Sequence, residues 1–321
     1  MFLKRDHTKL FFASDIHGSE RCWRKFLNAG EFYDVDILVM GGDITGKMIV
    51  PIVAASSGVR RACYMGREHE FEVESEIQRF EQSVRDNGHY PVKMTQNEAE
   101  KYSEGEQKLE LFEEVLVDSL SRWVEMAEER LHGTGIQCYV IPGNDDMWIV
   151  DDVIDRSEAV INPEGQCVQL DNYHEMIASG YTNPTPWDTY RELPEDDLKV
   201  KLETLFLEAS DTKNLVASLH APPYGIGLDA APMLEEDLSM SRSLGGDVEF
   251  VPVGSTAVAD VINKYQPMLT LHGHVHESRG VKKMGRTVVV NPGSEYTEGM
   301  LSGVIVVFDK SGVRRQQLIC G

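Results

Sequence analysis

Short apolar runs alternate with polar, glycine-bearing blocks along most of this chain, and the runs have strand length rather than helix length. Residues 10–13, 37–40, 139–141 and 215–217 are apolar, 268–271 is apolar but for Thr270, and each stops just before a polar block. This predicts five strands, each followed by a loop. Further runs at 287–290, 304–308 and 316–319 predict three more strands, with Asn291-Pro292-Gly293-Ser294 as a turn after the first. Strands dominate the C-terminal part while helices intersperse the N-terminal part. That distribution predicts an α/β fold of two packed sheets with helices outside, rather than a singly wound barrel.

About a hundred residues separate Asp43 from Asn144, far more than a connection needs, so this interval must hold structure of its own. The expectation is a single domain over 1–321 carrying an insertion of hairpin and helices at 47–130. Its place between two polar blocks suggests that it caps a site. Glu68, Glu70, Glu72, Glu74 and Glu76 alternate with His69, Phe71, Val73 and Ser75, a period of two that predicts a solvent-facing strand in a small hairpin. Leu109, Phe112, Leu116, Leu120, Trp123, Ala127 and Leu131 fall at three- and four-residue spacing and predict an amphipathic helix, its stripe docked on the sheet or used as a partner-binding face.

Composition narrows the function. With 31 Lys+Arg against 53 Asp+Glu among 321 residues, the formal charge is -22, which disfavours a broad phosphate-backbone footprint and so an extended nucleic-acid partner. A small phosphorylated substrate remains compatible, because bound cations can invert the local field. Cys22, Cys63, Cys138, Cys167 and Cys320 are odd in number and widely spaced, which indicates reduced thiols rather than a disulfide framework or a zinc knuckle. No stretch approaches the roughly 20 apolar residues of a membrane span. The apolar run after Lys4 and Arg5 is too short for a signal-peptide core. A cytoplasmic protein without a membrane partner is the expectation; oligomeric state is open.

The polar blocks carry the chemistry. They are Asp15-Ile16-His17, Gly42-Asp43, Gly143-Asn144-Asp145-Asp146, His220 and Gly273-His274-Val275-His276. Open α/β sheets place ligand sites at strand carboxyl ends, so five such loops can converge on one rim. Two cations about 4 Å apart need a shared carboxylate and a mixed set of Asp, His and Asn ligands. Asp43 is the candidate bridge. Asp15, His17 and His276 would complete one metal, and Asn144, His220 and His274 the other. This oxygen and nitrogen set suits Mn, Fe, Co, Ni or Zn rather than Ca, with Mn favoured.

The ordered series Asp-x-His, Gly-Asp, Gly-Asn, His and Gly-His-x-His resembles the calcineurin-like metallophosphoesterase superfamily, over the chain from Asp15 to His276. Any one block is common by chance; five in this order after strands are not. The resemblance implies a four-layer α/β/β/α sandwich of two mixed sheets. It also implies a binuclear phosphoester hydrolase in which a metal-bridging hydroxide attacks phosphorus. Most of the superfamily has a histidine after the Gly-Asn pair, assisting the leaving oxygen; here Asp145 stands there. Asp145 would then be a raised-pKa acid, or an orienting group for His220 or a water, or a sign that the ester's leaving group needs little protonation. The last favours a phosphodiester slightly over a phosphomonoester. Asp43 and Asn144 join Asp145 as candidate catalytic residues.

Other residues carry a weaker signal. His272 shares a strand face with His274 and His276 and is either a supporting acid or a satisfied buried histidine. Asp146 is either a partner of a metal-bound imidazole or a helix N-cap. Arg279 could pair with a phosphate oxygen, and Asn183, in the proline-broken loop 180–187, could line the substrate pocket. Two other classes compete: a catalytically weak or inactive scaffold of the same fold, whose mark would be lost ligands, and a nuclease acting on short oligonucleotides.

Overall fold

A computed structural model describes residues 7–55, 58–235, 237–242 and 246–321. Two six-stranded sheets form its centre. The first runs in the order Gly312–Cys320, Ser302–Asp309, Thr8–Ala13, Ile37–Met40, Gln137–Val140 and Val160–Ile161. The second runs Gly280–Met284, Thr287–Asn291, Leu269–Leu271, Leu215–Leu219, Glu175–Ser179 and Cys167–Gln169. Both are mixed: three inner strands of the first sheet are parallel, and Ser302–Asp309 joins Thr8–Ala13 antiparallel.

Three layers of apolar packing hold the sandwich. Leu10, Phe12, Val39, Tyr139, Met176, Val216, Leu269 and Val306 fill the space between the sheets. This is why these strands read as near-continuous apolar runs rather than alternating ones: each is covered on both faces. Outside the first sheet, helix Glu20–Phe32 and helix Glu106–Leu131 pack through Trp23, Phe26, Leu116, Leu120 and Trp123. Outside the second, helix Glu195–Phe206 and helix Thr256–Tyr265 pack through Leu198, Leu202, Val258 and Ile262. The order helix, sheet, sheet, helix is the four-layer α/β/β/α sandwich.

The interval after Asp43 differs in detail from its sequence pattern. Arg60–Tyr64 and Arg67–Phe71 form the expected hairpin, but as part of a separate four-stranded sheet ordered Arg67–Phe71, Arg60–Tyr64, Ile49–Ala54 and Tyr90–Thr95. Its own core of Val50, Ile52, Tyr64, Phe71, Ile77, Phe80 and Val84 is capped by helix Glu74–Asp86. The alternation of glutamates therefore describes a strand only as far as Phe71. Glu74 and Glu76 instead open the helix, where acidic residues suit the positive end of the backbone dipole. The stripe does form a helix: Phe112, Leu116, Leu120, Trp123, Ala127 and Leu131 pack on the main core, Phe112 also meets Tyr90 of the small sheet, and Leu109 is exposed. The small sheet meets the central one through the 86–90 turn: Ser19 donates its hydroxyl to the Asp86 carbonyl (2.6 Å), and the Gly46 N–H donates to the Tyr90 phenol oxygen (2.7 Å). A Cβ on Gly88 would lie 2.2 Å from the His17 carbonyl, so this approach requires glycine.

Trp123 is 3% exposed and stacks on Trp23 at 5.3 Å between ring centroids. Trp123→Ala should lower the free energy of unfolding by roughly 3–5 kcal/mol in urea titrations. A loss below about 1 kcal/mol would show that helix Glu106–Leu131 contributes little to the core.

Candidate metal centre

Register sets the height of the site. Ala13, Met40 and Val140 lie level on adjacent parallel strands, as do Ser218 and Leu271 in the second sheet. The five polar blocks leave from these ends together. The Asp15 N–H donates to the Gly42 carbonyl and the His17 N–H to the Asp43 carbonyl, both at 2.9 Å, which locks the first two loops side by side. The Gly273 N–H donates to the His220 carbonyl at 3.0 Å, which does the same in the second sheet. Asp15 joins the two sheets, because its carboxylate accepts the His274 N–H at 3.0 Å to each oxygen.

Four candidate ligands, Asp15, His17, Asp43 and His274, have φ of 56°, 39°, 50° and 66°. Left-handed backbone outside glycine persists only where surrounding structure imposes it, and such residues cluster at functional sites. The glycines in the blocks answer to close approach. A Cβ on Gly42 would lie 2.4 Å from His220 Nδ1, one on Gly143 2.1 Å from Asp43 Oδ1, and one on Gly273 2.3 Å from Asp15 Oδ2. Each motif glycine thus makes room for a ligand supplied by a different block.

The side chains meet in overlapping groups. Asp15, His17 and His276 form one, Asp43, His220 and His274 a second, and His17, Asp43 and Asp145 a third, with the ligand atoms of each group within 4.8 Å of one another. Asp43 reaches both sides: Oδ2 lies 3.8 Å from His17 Nε2 and Oδ1 lies 3.4 Å from His220 Nε2. His17 Nε2 and His276 Nε2 are 3.1 Å apart. Asn144 Oδ1 lies 2.9 Å from His274 Nδ1, and the Asn144 amide nitrogen donates to Thr189 Oγ1 at 2.8 Å. The Thr189 hydroxyl donates in turn to Glu192 (2.5 Å). This relay turns the oxygen of the amide, not its nitrogen, toward the imidazoles.

Electrostatics favour cations here. Burial alone would raise the carboxyls of Asp15 and Asp43, but the neighbouring imidazoles outweigh it and hold Asp15 at about 2 and Asp43 well below the usual range. Burial likewise opposes charge on His220, yet Asp43 and Asp15 raise it to about 9. His17 and His274 stay neutral, lowered by burial to about 3 and about 4. His220 donates Nδ1–H to the Gly41 carbonyl at 2.8 Å, which aims Nε2 at the carboxylates; that nitrogen and His17 Nδ1 are buried with no hydrogen-bond partner among the described residues. Buried ionised carboxylates that draw the His220 imidazole toward positive charge, beside a neutral His17 ring with an unpartnered nitrogen, fit divalent transition-metal ions.

The remaining sequence candidates have distinct positions. Asp145 forms an ion pair with Lys47 (2.6 Å), and its N–H donates to Asp43 Oδ1 at 3.0 Å. Burial and Asp43 push the Asp145 carboxyl up, and Lys47 opposes them. Asp146 neither caps a helix nor meets an imidazole. Fully buried, it accepts the N–H groups of Gly143 (2.7 Å), Ile44 and Thr45 and the Thr45 hydroxyl (2.6 Å), binding the Asp43 and Asn144 loops together. His272 is equally buried; its Nδ1 meets the carbonyls of Leu219 (2.7 Å) and Ala221 (2.9 Å), and burial lowers it to about 4. It thus grips the backbone on either side of His220 as a neutral ring. Asn183 donates to the Val253 carbonyl at 3.3 Å, and Arg279 is exposed.

Sequence reasoning passed over Lys47, Thr189, Arg191 and Tyr296. Lys47 lies four residues past Asp43, and that closeness to a block was the available signal. Arg191 is 1% exposed and donates to the Gly143 and Asp146 carbonyls and to Asp151. Tyr296 places its ring 4.9 Å from that of His17. No spacing pattern marks these three.

No known family profile matches the chain. An uncharacterised protein of Methanocaldococcus jannaschii, MJ1162, is 28% identical over 176 residues, which are 54% of this chain and 72% of that one. One solved crystal structure aligns over 98% of both chains at 17% identity, with a TM-score of 0.57. The protein TT1561 of Thermus thermophilus aligns over 98% of both at 13% identity and 0.52. The two structural likenesses show a shared fold.

Removing the Thr189 hydroxyl should free the Asn144 amide. Thr189→Val is expected to weaken Mn(II) binding by about ten- to a hundredfold in calorimetric titration, the usual cost of losing a group that orients a ligand; unchanged affinity would contradict the relay. Glu164 gives a pH test. It accepts the Gly180 N–H at 2.6 Å, and a Cβ on Gly180 would lie 1.8 Å from the Pro142 carbonyl, so this carboxyl supports the turn that carries Asn144. Burial raises it to about 7 from 4.5. A raised acid contributes its stability below the unfolded pKa and loses it as pH climbs through the folded one. Stability should therefore fall between pH 4.5 and about 7, and urea unfolding of Glu164→Gln should show a shallower decline over that window. An identical slope would sink the assignment.

Proposed function

We propose, for a chain that resembles the calcineurin-like metallophosphoesterase superfamily in fold and in the order of its ligand blocks, a binuclear metal-dependent phosphoesterase acting on a small phosphorylated substrate. The observation that carries this reading is the meeting of ligand-type side chains from both sheets in two groups, with Asp43 in reach of both. Asp15, His17, His276 and Asp43 would hold one ion, and Asn144, His220, His274 and Asp43 the other, with Mn(II) the favoured metal. When bound, the ions would supply a water acidic enough to act as nucleophile near neutral pH and would neutralise charge on the phosphate oxygens.

The protein's own groups do the rest. Asp43, anchored by the Asp145 N–H and by the block glycines, keeps both groups in one register. Thr189 and Glu192 point the Asn144 oxygen inward. Asp145 would repel a phosphate if its charge stood alone, and Lys47, at 2.6 Å, compensates it. A carboxylate engaged by an ammonium is a poor proton donor. A doubly charged monoester also meets it less favourably than a singly charged diester. Phosphodiesters are therefore the favoured class over phosphomonoesters.

The direct test is hydrolysis of an activated aryl phosphodiester beside its monoester analogue, with Mn(II), in native protein and Asp43→Asn. Diester turnover should exceed monoester turnover, and Asp43→Asn should reduce kcat/KM by at least about a hundredfold. Monoester preference would overturn the diester assignment. Turnover of neither ester by metal-loaded protein would favour a binding scaffold of this fold.

A further inference from the structure

A second recess lies beside the candidate ligands. A cavity of about 360 Å³ opens against His276 and is walled by Glu277, Arg279, Ser294, Glu295 and Ser302, a volume at the lower end of small-molecule sites. His276 belongs both to this wall and to the group it forms with Asp15 and His17. A phosphoester with its phosphorus at the donor groups therefore has a substituent within reach of the recess.

The wall has an unusual chemistry. Ser302 is 3% exposed and its hydroxyl oxygen is buried without a hydrogen-bond partner among the described residues; a guest reaches it only by a small shift of the wall, and engaging it would relieve the cost of an unpaired buried hydroxyl. Arg279 is exposed and, among the described residues, forms no ion pair. The Ser294 hydroxyl is already spent on the Asp15 carbonyl at 2.6 Å, so its oxygen is left to accept. Glu277 and Glu295 add acceptors and negative charge, which disfavours a second anionic group. Among the described residues no aliphatic side chain lines the cavity, which disfavours an acyl or alkyl chain. Donors from Arg279, acceptors from the two glutamates and a hydroxyl of either sense from Ser302 suit a group that both donates and accepts at several points.

We propose that this recess is the subsite for a polyhydroxylated, sugar-like substituent of the phosphoester, selected by Arg279 and Ser302. The proposal rests on the phosphoesterase reading of the adjoining centre. The test compares two Mn(II)-supported diester substrates that share a p-nitrophenyl leaving group, one carrying ribose and the other methyl. The native protein should prefer the ribose ester by roughly tenfold or more in kcat/KM. Arg279→Ala and Ser302→Ala should each erode that preference, lowering ribose-ester kcat/KM by more than methyl-ester kcat/KM. Methyl-ester turnover without a ribose preference, or a preference that survives both substitutions, overturns the subsite and leaves the phosphoesterase reading standing. Turnover of neither ester overturns the phosphoesterase reading, and calorimetry with ribose phosphate then decides the subsite alone. Binding weakened by both substitutions upholds it; equal binding or none overturns it.

Discussion

One carboxylate ties the two sheets together at the point where the chemistry is proposed. Asp15, at the end of a strand of the first sheet, accepts the backbone N–H of His274 from the second, and its carbonyl accepts the Ser294 hydroxyl from the same side. That crossing, together with the His220 Nδ1–H donated to the Gly41 carbonyl, holds His220, His274 and His276 of one layer against Asp43 and Asn144 of the other. Left-handed backbone at four of the candidate ligands is the local strain of drawing these loops inward. Block glycines with a ligand where a side chain would stand, and the Asp146 carboxylate that binds two loops by their N–H groups, hold it in place.

The same convergence creates an electrostatic demand. Asp15 and Asp43 are almost wholly buried, and together they draw the His220 imidazole toward its charged form against the cost of burial. A pocket built this way stabilises positive charge at its middle. On a chain whose formal charge is -22, cations held there would make the local field the reverse of the global one, as the proposed anionic substrate requires. Under the proposed function Lys47 would serve the same end at the rim, offsetting the Asp145 charge that a phosphate would meet.

Much of this was legible in the chain itself. Strands buried on both faces leave uninterrupted apolar runs, so the sheets and the loops after them could be read from residues 10–13 or 37–40, and the sandwich followed. Candidate ligands were legible because each stands in a block at a strand end, and the structure brings their side chains into mutual reach. What escaped was set by contact across long separations. Thr189 matters only because the chain folds back to Asn144, and Arg191 because it reaches the Gly143 and Asp146 carbonyls. Asp146 and His272 were visible as candidates, but their roles depend on which backbone groups surround them, and spacing does not encode that. Glu74 and Glu76 misled because a period of two in charge continued past the end of the strand into a helix whose apolar period begins at Ile77.

Two ions sharing Asp43 is the claim on which the functional account turns, and metal stoichiometry tests it without reference to any substrate. Equilibrium dialysis of the native chain against Mn(II), with the bound metal counted by elemental analysis, should give about two ions per chain. Asp43→Asn should lose both affinity and stoichiometry, because its carboxylate reaches both groups. A native stoichiometry of one or fewer, or two ions retained undiminished by Asp43→Asn, would contradict the shared-carboxylate centre.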